Sequence, residues 1–158
     1  MAKKPYNERT DIERIESQWV KLSGLHSRSD WSAAVVRAAT ATEIAVNLAI
    51  RKEFAARSQF DAKFVDHLLK WANGLTGKVE KLLLPLLVGT PKHATVNSLK
   101  SHAETINGKR NKIAHSGEFC NEDEATPLID ACQAFVHGIV RLYEPDFTLK
   151  EQAETVSR

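Results

Sequence analysis

Residues 30–57 read DWSAAVVRAATATEIAVNLAIRKEFAAR, and apolar side chains recur along them at helical spacing. Asp30 suits the position that caps a first turn. The inner face of the predicted helix carries Trp31, Val35, Ala38, Ala41, Ile44, Ala45, Leu48 and Phe54. Because alanine side chains are small, their number here predicts close approach to a neighbouring helix.

The rest of the chain repeats this helical pattern, since glycine and proline are sparse and no β-branched run alternates with polar residues. Two further helices are predicted in the first half of the chain: 10–24, with a cap at Thr10 or Asp11 and a stop at Gly24, and 61–73, which ends at Asn73-Gly74. A short helix follows from Thr76 to Leu86, and Pro85 bends or stops it. The last two are a helix that starts at Lys92 and is interrupted at Asn107-Gly108, and the helix 123–143, with Thr126-Pro127 as its entry. The expected fold is all-α, an up-and-down bundle of five to six helices. One domain covers residues 1–158, with frayed ends at about 1–9 and 146–158.

Composition narrows the function classes. The chain has 158 residues and a net charge of +2, which excludes a broad basic coat of the kind that grips nucleic acid non-specifically. Uncharged runs such as 82–91 fall short of the roughly 18 residues of a membrane span, so no membrane partner is expected. The first residues are charged and lack a signal-peptide core. With two cysteines only, a reducing, cytoplasmic location is expected.

No metal or other cofactor is expected. Helical bundles hold metals through Glu-x-x-His pairs, but the residues three before the six histidines are not acidic. Cys120 and Cys132 lack zinc spacing; Cys132 lies on an apolar stripe, and Cys120 near a loop. The stretch 74–78, GLTGK, lacks the strand and spacing of a phosphate-binding loop and is better explained as a helix break and cap.

One cluster carries reactive chemistry: Arg110, Asn111 and His115. Arginine is a permanent cation whose planar fork suits a phosphate, and histidine exchanges protons near neutral pH. Asn111 and His115 are four residues apart and share a helix face, whereas Arg110 and His115 are about 140° apart. Arg110 must therefore wrap around, or the helix must distort. The alternative is a solvated Arg110 with His115 at a helix C-terminus, where a cation is favoured.

These residue types match metal-free RNA cleavage, in which the ribose 2′-hydroxyl is the nucleophile. A histidine moves one proton and an arginine stabilises the charged phosphate. The reaction needs a base for the 2′-hydroxyl and an acid for the leaving 5′-oxygen, and one histidine supplies only one of them. A two-fold dimer would supply both. Residues 92–119 also concentrate positive charge, with five Lys or Arg against two Glu.

The run from Arg110 to His115, RNKIAH, resembles the Arg-x4–6-His motif of the HEPN family, including the polar residue after the arginine. The motif falls late in a helical domain and precedes one amphipathic helix, as in that family. The resemblance implies a helical bundle that dimerises with its motifs face to face. It implies a metal-independent endoribonuclease of toxin–antitoxin, antiphage or RNA-processing systems, with Arg110 and His115 catalytic and Asn111 supporting them. Any further partner protein would be a separate polypeptide.

Three further residues have two interpretations each. Glu43 lies among apolar residues, and a buried carboxylate needs a partner. It either faces the cluster and bonds Arg110 or His115, or lies at the bundle edge facing water. Lys109 and Lys112 either hold RNA phosphates or are solvated surface lysines.

Two other functions remain open at this point. HEPN-like domains also occur as non-catalytic modules, which would bind RNA, a nucleotide or a protein through the same groove. The balanced charge and the lack of evident base-stacking aromatics near the motif weaken the case for RNA as the ligand. Trp19, Trp31 and Trp71 are interpreted as core or dimer-interface residues. A plain helical scaffold is the third possibility.

Overall fold

All regular structure in the described residues is helical. The computed structural model describes residues 4–72 and 74–150. A short 3₁₀ turn, Tyr6–Glu8, precedes six helices: α1 (Asp11–Ser27), α2 (Trp31–Arg57), α3 (Ala62–Trp71), α4 (the consecutive segments Leu75–Lys78, Val79–Leu83 and Leu84–Leu87), α5 (Lys92–Ser116) and α6 (Glu122–Val140). The all-helical class and the number of helices are therefore confirmed.

Helix α2 is the centre of the fold, because it packs against all five other helices. Its buried positions include a stripe of alanines that are fully inaccessible to solvent: Ala34, Ala38, Ala41, Ala45 and Ala49. These alanines recur every three or four residues, so they form one continuous face. Small side chains on that face let neighbouring helices approach closely, as the sequence predicts.

By length and hydropathy, α2 is also the one helix in residues 4–72 and 74–150 that would fit a membrane span. An 18-residue window in it has a mean hydropathy of 1.4. However, 61% of that window is buried inside the fold. A core helix packed on several sides satisfies the same length and hydropathy criteria.

Side-chain caps define the starts of α1, α2 and α3, and those at Thr10 and Asp30 are as predicted. The Thr10 hydroxyl accepts a hydrogen bond from the Glu13 backbone N–H, and the Thr10 N–H donates one to the Glu13 carboxylate. Asp30 caps α2 and Asp61 caps α3 through one bond each, in which a side-chain oxygen accepts from a backbone N–H of the first turn. These local hydrogen bonds satisfy backbone donors that a first turn leaves unpaired.

Two helices continue through glycines at which a stop or an interruption was predicted. Helix α1 continues through Gly24 to Ser27, and α5 continues through Asn107 and Gly108 to Ser116. Leu25 and Ile113, beyond these sites, pack against the core, and that contact outweighs the roughly 1 kcal/mol penalty of a helical glycine. The true end of α5 is Gly117, with a left-handed φ of 63°.

The predicted limits of α6 and α4 are also corrected. Helix α6 begins after Asn121, which forms a reciprocal cap with Glu124, and it ends at Val140, so Pro127 lies inside it. Helix α4 begins at Leu75 after Gly74 rather than at a Thr76 cap. Its middle segment Val79–Leu83 is a π turn, with the Leu84 N–H bonded to the Val79 carbonyl. This wider turn lies just before Pro85, whose ring would clash with the carbonyl four residues back in a regular helix.

The segment after α6 packs against the fold up to residue 150. Phe147 and Leu149 are buried. Arg141 donates to the Phe147 carbonyl (2.8 Å), and the Leu149 N–H donates to His137 Nε2 (3.0 Å). Residues 146–150 therefore pack against the fold and Tyr6–Glu8 forms the 3₁₀ turn, while fraying of the chain ends stays a prediction. Residues 1–3, 73 and 151–158 lie outside the described part of the chain.

A buried carboxylate fixes the start of α5 against α2. The Glu53 side chain is 3% exposed and accepts hydrogen bonds from Lys92 Nζ (3.0 Å) and the Tyr143 hydroxyl (2.7 Å). Arg57 Nε lies 2.9 Å from its other oxygen. Burial acts to raise the pKa of Glu53, but the bonds from Tyr143 and Lys92 and the charge of Arg57 hold it below its ordinary value. The charged carboxylate thus joins α2, α5 and the segment after α6.

The alanine stripe can be tested with a matched pair of substitutions. Ala45→Leu inserts bulk into the fully buried stripe and is expected to lower the free energy of unfolding by about 1–3 kcal/mol. Ala56→Leu, on the exposed side of the same helix, should change it by less than about 0.5 kcal/mol. Urea unfolding followed by far-UV circular dichroism measures both. Equal effects of the two substitutions would contradict close packing at Ala45.

His137 gives the fold a specific pH dependence. Burial lowers the pKa of His137, and the charge of Arg141 adds to this effect. The unfolded chain therefore binds a proton at His137 more readily than the folded chain does. The contribution of neutral His137 to folding stability is complete above about pH 6.5 and is lost as pH falls through the lowered pKa. In His137→Gln the amide oxygen accepts the Leu149 N–H at every pH. Between about pH 7.5 and pH 5, melting temperatures should fall more steeply for wild type than for the variant; parallel curves would refute the assignment.

Candidate functional site

A cleft of about 590 Å³ lies between α2, α5 and the start of α4. Arg110, Asn111 and His115 line it from α5, and Glu43 lines it from α2. Its remaining lining residues are Ala39, Thr40, Gly74, Leu75, Ile106 and Asn107. The structure therefore brings together in one cleft four site residues that the sequence analysis proposed.

Arg110 and His115 reach the same cleft without any break in α5, although they point about 140° apart on a regular helix. The long Arg110 side chain covers the angle. Its Nη1 donates to Asn111 Oδ1 over 3.2 Å, which turns the guanidinium toward the face that Asn111 and His115 share. Arg110 therefore reaches the cleft by wrapping its side chain around the helix, and α5 is not distorted.

His115 lies in the last turn of α5, where the chain ends the helix through Gly117. The backbone N–H groups of Gly117 and Glu118 both bond the Lys112 carbonyl. The imidazole is thus both at a helix C-terminus and in the cleft wall, and it is exposed to solvent. A solvent-facing imidazole in a cleft is accessible to a ligand.

Glu43 has a partner that sequence reasoning missed. Its Oε1 accepts a hydrogen bond from Lys78 Nζ over 2.9 Å, rather than from Arg110 or His115 as one interpretation expected. The Lys78 side chain is 4% exposed, whereas that of Glu43 is 40% exposed. The position of Lys78 between Leu75 and Val79, which are both buried, is the signal that marks it as inward-facing.

The two lysines beside the motif differ in role. Lys109 Nζ lies 3.4 Å from Glu118 and 3.5 Å from Glu124, and its side chain is 17% exposed. Partial burial acts to lower the pKa of Lys109, but the hydrogen bond and charge of Glu118, with Glu124, raise it above its ordinary value. Lys109 is therefore engaged in joining α5 to α6 and does not line the cleft. Lys112 is exposed to solvent.

Neither cysteine has the features of a nucleophile. Burial raises the pKa of Cys132 to about 12, against a small opposing effect of its hydrogen bond with Thr42. Burial also raises the pKa of Cys120, with Lys109 opposing it. Because the thiolate is the reactive form, a raised pKa disfavours reaction of either side chain near neutral pH.

Within residues 4–72 and 74–150, no group of three or more His, Cys, Asp or Glu side chains is placed to hold a metal ion. The cleft has few permanent charges. Among the described lining residues, Arg110 is the one permanent cation, and Glu43 is neutralised by Lys78. The cleft therefore presents a net positive charge to an anionic ligand.

No protein-family model, curated protein or solved structure matches this chain.

The Glu43–Lys78 pair predicts unequal effects of removing its members. Glu43→Ala leaves a buried ammonium without its partner and should lower the free energy of unfolding by about 1–3 kcal/mol. Lys78→Met should lower the free energy of unfolding less, because the Glu43 carboxylate is partly exposed and stays hydrated. The methionine side chain also fills the space of the lysine methylene chain. The double variant should be more stable than Glu43→Ala alone. Chemical denaturation measures all three, and a larger loss for Lys78→Met would contradict the pairing.

Proposed function

We propose that this protein is a metal-independent endoribonuclease of the HEPN type that acts as a homodimer on RNA in the cytoplasm. The observation that carries the proposal is the convergence of Arg110, Asn111 and His115 in one positively charged cleft. These are the three positions at which the sequence resembles the HEPN motif. The HEPN-like form of the helical bundle is part of the same proposal.

The chemistry follows from the side chains. The ribose 2′-hydroxyl attacks the adjacent phosphorus, and the bond from phosphorus to the 5′-oxygen breaks. The products carry a 2′,3′-cyclic phosphate and a 5′-hydroxyl. His115 removes the 2′ proton or donates one to the leaving oxygen. Arg110 stabilises the additional negative charge of the pentacovalent phosphate, and Asn111 orients the guanidinium through the 3.2 Å hydrogen bond.

The reaction needs a base and an acid, whereas each cleft contains one imidazole from the described residues. Two copies of the chain related by a two-fold axis would place two imidazoles at one scissile phosphate. The proposed active unit is therefore a homodimer. Glu43, held by Lys78, would complete the polar wall opposite Arg110.

The charge distribution supports a focused phosphate site rather than broad attraction to nucleic acid. Arg110 is the permanent cation of the described cleft lining, and the exposed Lys112 lies two residues further along α5. A role in a toxin–antitoxin or antiphage system, with a separate partner protein, accompanies this proposal. A module that binds RNA or a nucleotide in the same cleft without turnover is the second candidate, because the described cleft lining contains a single imidazole and binding, unlike turnover, needs no second proton-transfer group.

RNA cleavage in EDTA tests the proposal. Wild-type protein should release fragments that end in a 2′,3′-cyclic phosphate. His115→Ala and Arg110→Ala should each lower the rate at least about 100-fold, because each removes a group that acts in the transition state. His102→Ala is the matched control, an exposed histidine of α5 outside the cleft lining, and should cleave normally.

Two results would contradict the ribonuclease proposal: cleavage that requires a divalent metal, or cleavage that persists in His115→Ala. Tight RNA or nucleotide binding without products would identify the binding module instead. Sedimentation velocity in the same buffer tests the dimer, for which about twice the chain mass is expected.

A further inference from the structure

Two aromatic side chains are unusually exposed. Phe119 is 90% and Trp71 80% exposed, the highest values among the large hydrophobic residues in the described part of the chain. Of the two alternatives for Trp71, core or dimer interface, its exposure excludes the core, and Phe119 provides an exposed aromatic close to the motif where none was expected. An exposed Trp or Phe ring has a flat apolar face that is free to stack on another flat group.

Both aromatic residues are close in sequence to residues of the cleft wall. Trp71 stands three residues before Gly74, and Phe119 stands four residues after His115; Gly74 and His115 both line the cleft. A chain of three or four residues spans at most about 11–14 Å. Each aromatic residue therefore lies within that distance of the cleft, one at the entry to α4 and the other at the exit from α5.

The backbone around Phe119 is held in place. The Glu118 N–H bonds the Lys112 carbonyl (3.3 Å), and the Cys120 N–H bonds Ser32 Oγ at the start of α2 (2.9 Å). Glu118 also pairs with Lys109. Because Cys120 is buried while Phe119 is exposed, this anchored backbone holds Phe119 at the surface with its phenyl ring in solvent.

We propose that Trp71 and Phe119, each a few residues from the cleft wall, are stacking platforms for unpaired bases next to the phosphate bound at Arg110, so that the ligand is single-stranded RNA. This inference rests on the proposed function in taking RNA as the ligand. A flat aromatic ring stacks on the face of any base, and the face is available only when the base is unpaired and splayed out. Arg110 supplies the phosphate contact, and the two rings supply a preference for single strands that the cleft charge alone does not give.

Binding measurements on His115→Ala protein, which avoids turnover, test the proposal. A fluorescein-labelled single-stranded RNA and the same strand annealed to its complement are titrated and followed by fluorescence anisotropy. The single strand should bind at least about tenfold more tightly than the duplex. Adding Trp71→Ala or Phe119→Ala should weaken single-strand binding about tenfold each, the loss expected for one stacked base. Trp71→Phe and Phe119→Tyr should retain binding.

The matched controls are Phe60→Ala and Val20→Ala. Phe60 is 56% exposed and lines a separate cavity between α1, α2 and α3, and Val20 is 65% exposed on α1. Both variants should bind like the parent protein. The stacking proposal is overturned if the Trp71 and Phe119 variants also bind like the parent, or if duplex binds as tightly as single strand. It is likewise overturned if weaker binding in these variants accompanies a change of mass in sedimentation, because the rings would then be protein–protein contacts.

Failure of this inference and failure of the ribonuclease proposal give different results. Cleavage that depends on His115, together with unchanged binding in Trp71→Ala and Phe119→Ala, would remove the stacking role alone. Single-strand binding that depends on both rings, without cleavage by protein that retains His115, would remove the ribonuclease alone.

Discussion

Close packing around the alanine stripe of α2 is the constraint on which the rest of the structure depends. A helix that contacts five neighbours needs small side chains, because each larger side chain would displace a neighbouring axis. The fully buried Ala38, Ala41 and Ala45 meet this need near the middle of α2. Ala39, Thr40 and Glu43, in the same part of the helix, form one wall of the cleft. The helix that organises the core thus also sets the position of the site.

Two clusters of charged side chains fix α5, which carries the motif. At its start, Lys92 meets the buried Glu53 of α2. Near its end, Lys109 meets Glu118 and Glu124, which join it to the following loop and to α6. A carboxylate as buried as Glu53 is tolerated only when its hydrogen bonds are satisfied, so this contact specifies how α5 sits against α2. Lys109 belongs to this framework, which leaves Arg110 to provide the permanent charge of the cleft.

The balance of charge in the whole chain now has a structural explanation. Much of the positive charge is paired, as Lys78 is with Glu43 and Arg51 is with Asp11 and Asp66. Such pairs cancel at long range, so the surface does not attract polyanions broadly. A single arginine in a cleft acts over a short distance instead. The near-neutral total is therefore compatible with a local phosphate site, and selectivity would have to come from groups other than charge.

The sequence by itself determined the helical class, the central α2 with its cap at Asp30, and the motif residues Arg110, Asn111 and His115, because periodicity, capping and residue chemistry are local properties. It misplaced helix limits at Gly24, at Asn107-Gly108 and at Pro127, where packing across the core outweighs a weak local preference. Only the tertiary structure paired Glu43 with Lys78, engaged Lys109 with Glu118 and Glu124, and exposed Trp71 and Phe119. These outcomes depend on which helix faces lie within a few ångströms of each other, and that distance is fixed by packing rather than by the residues on either side in the chain.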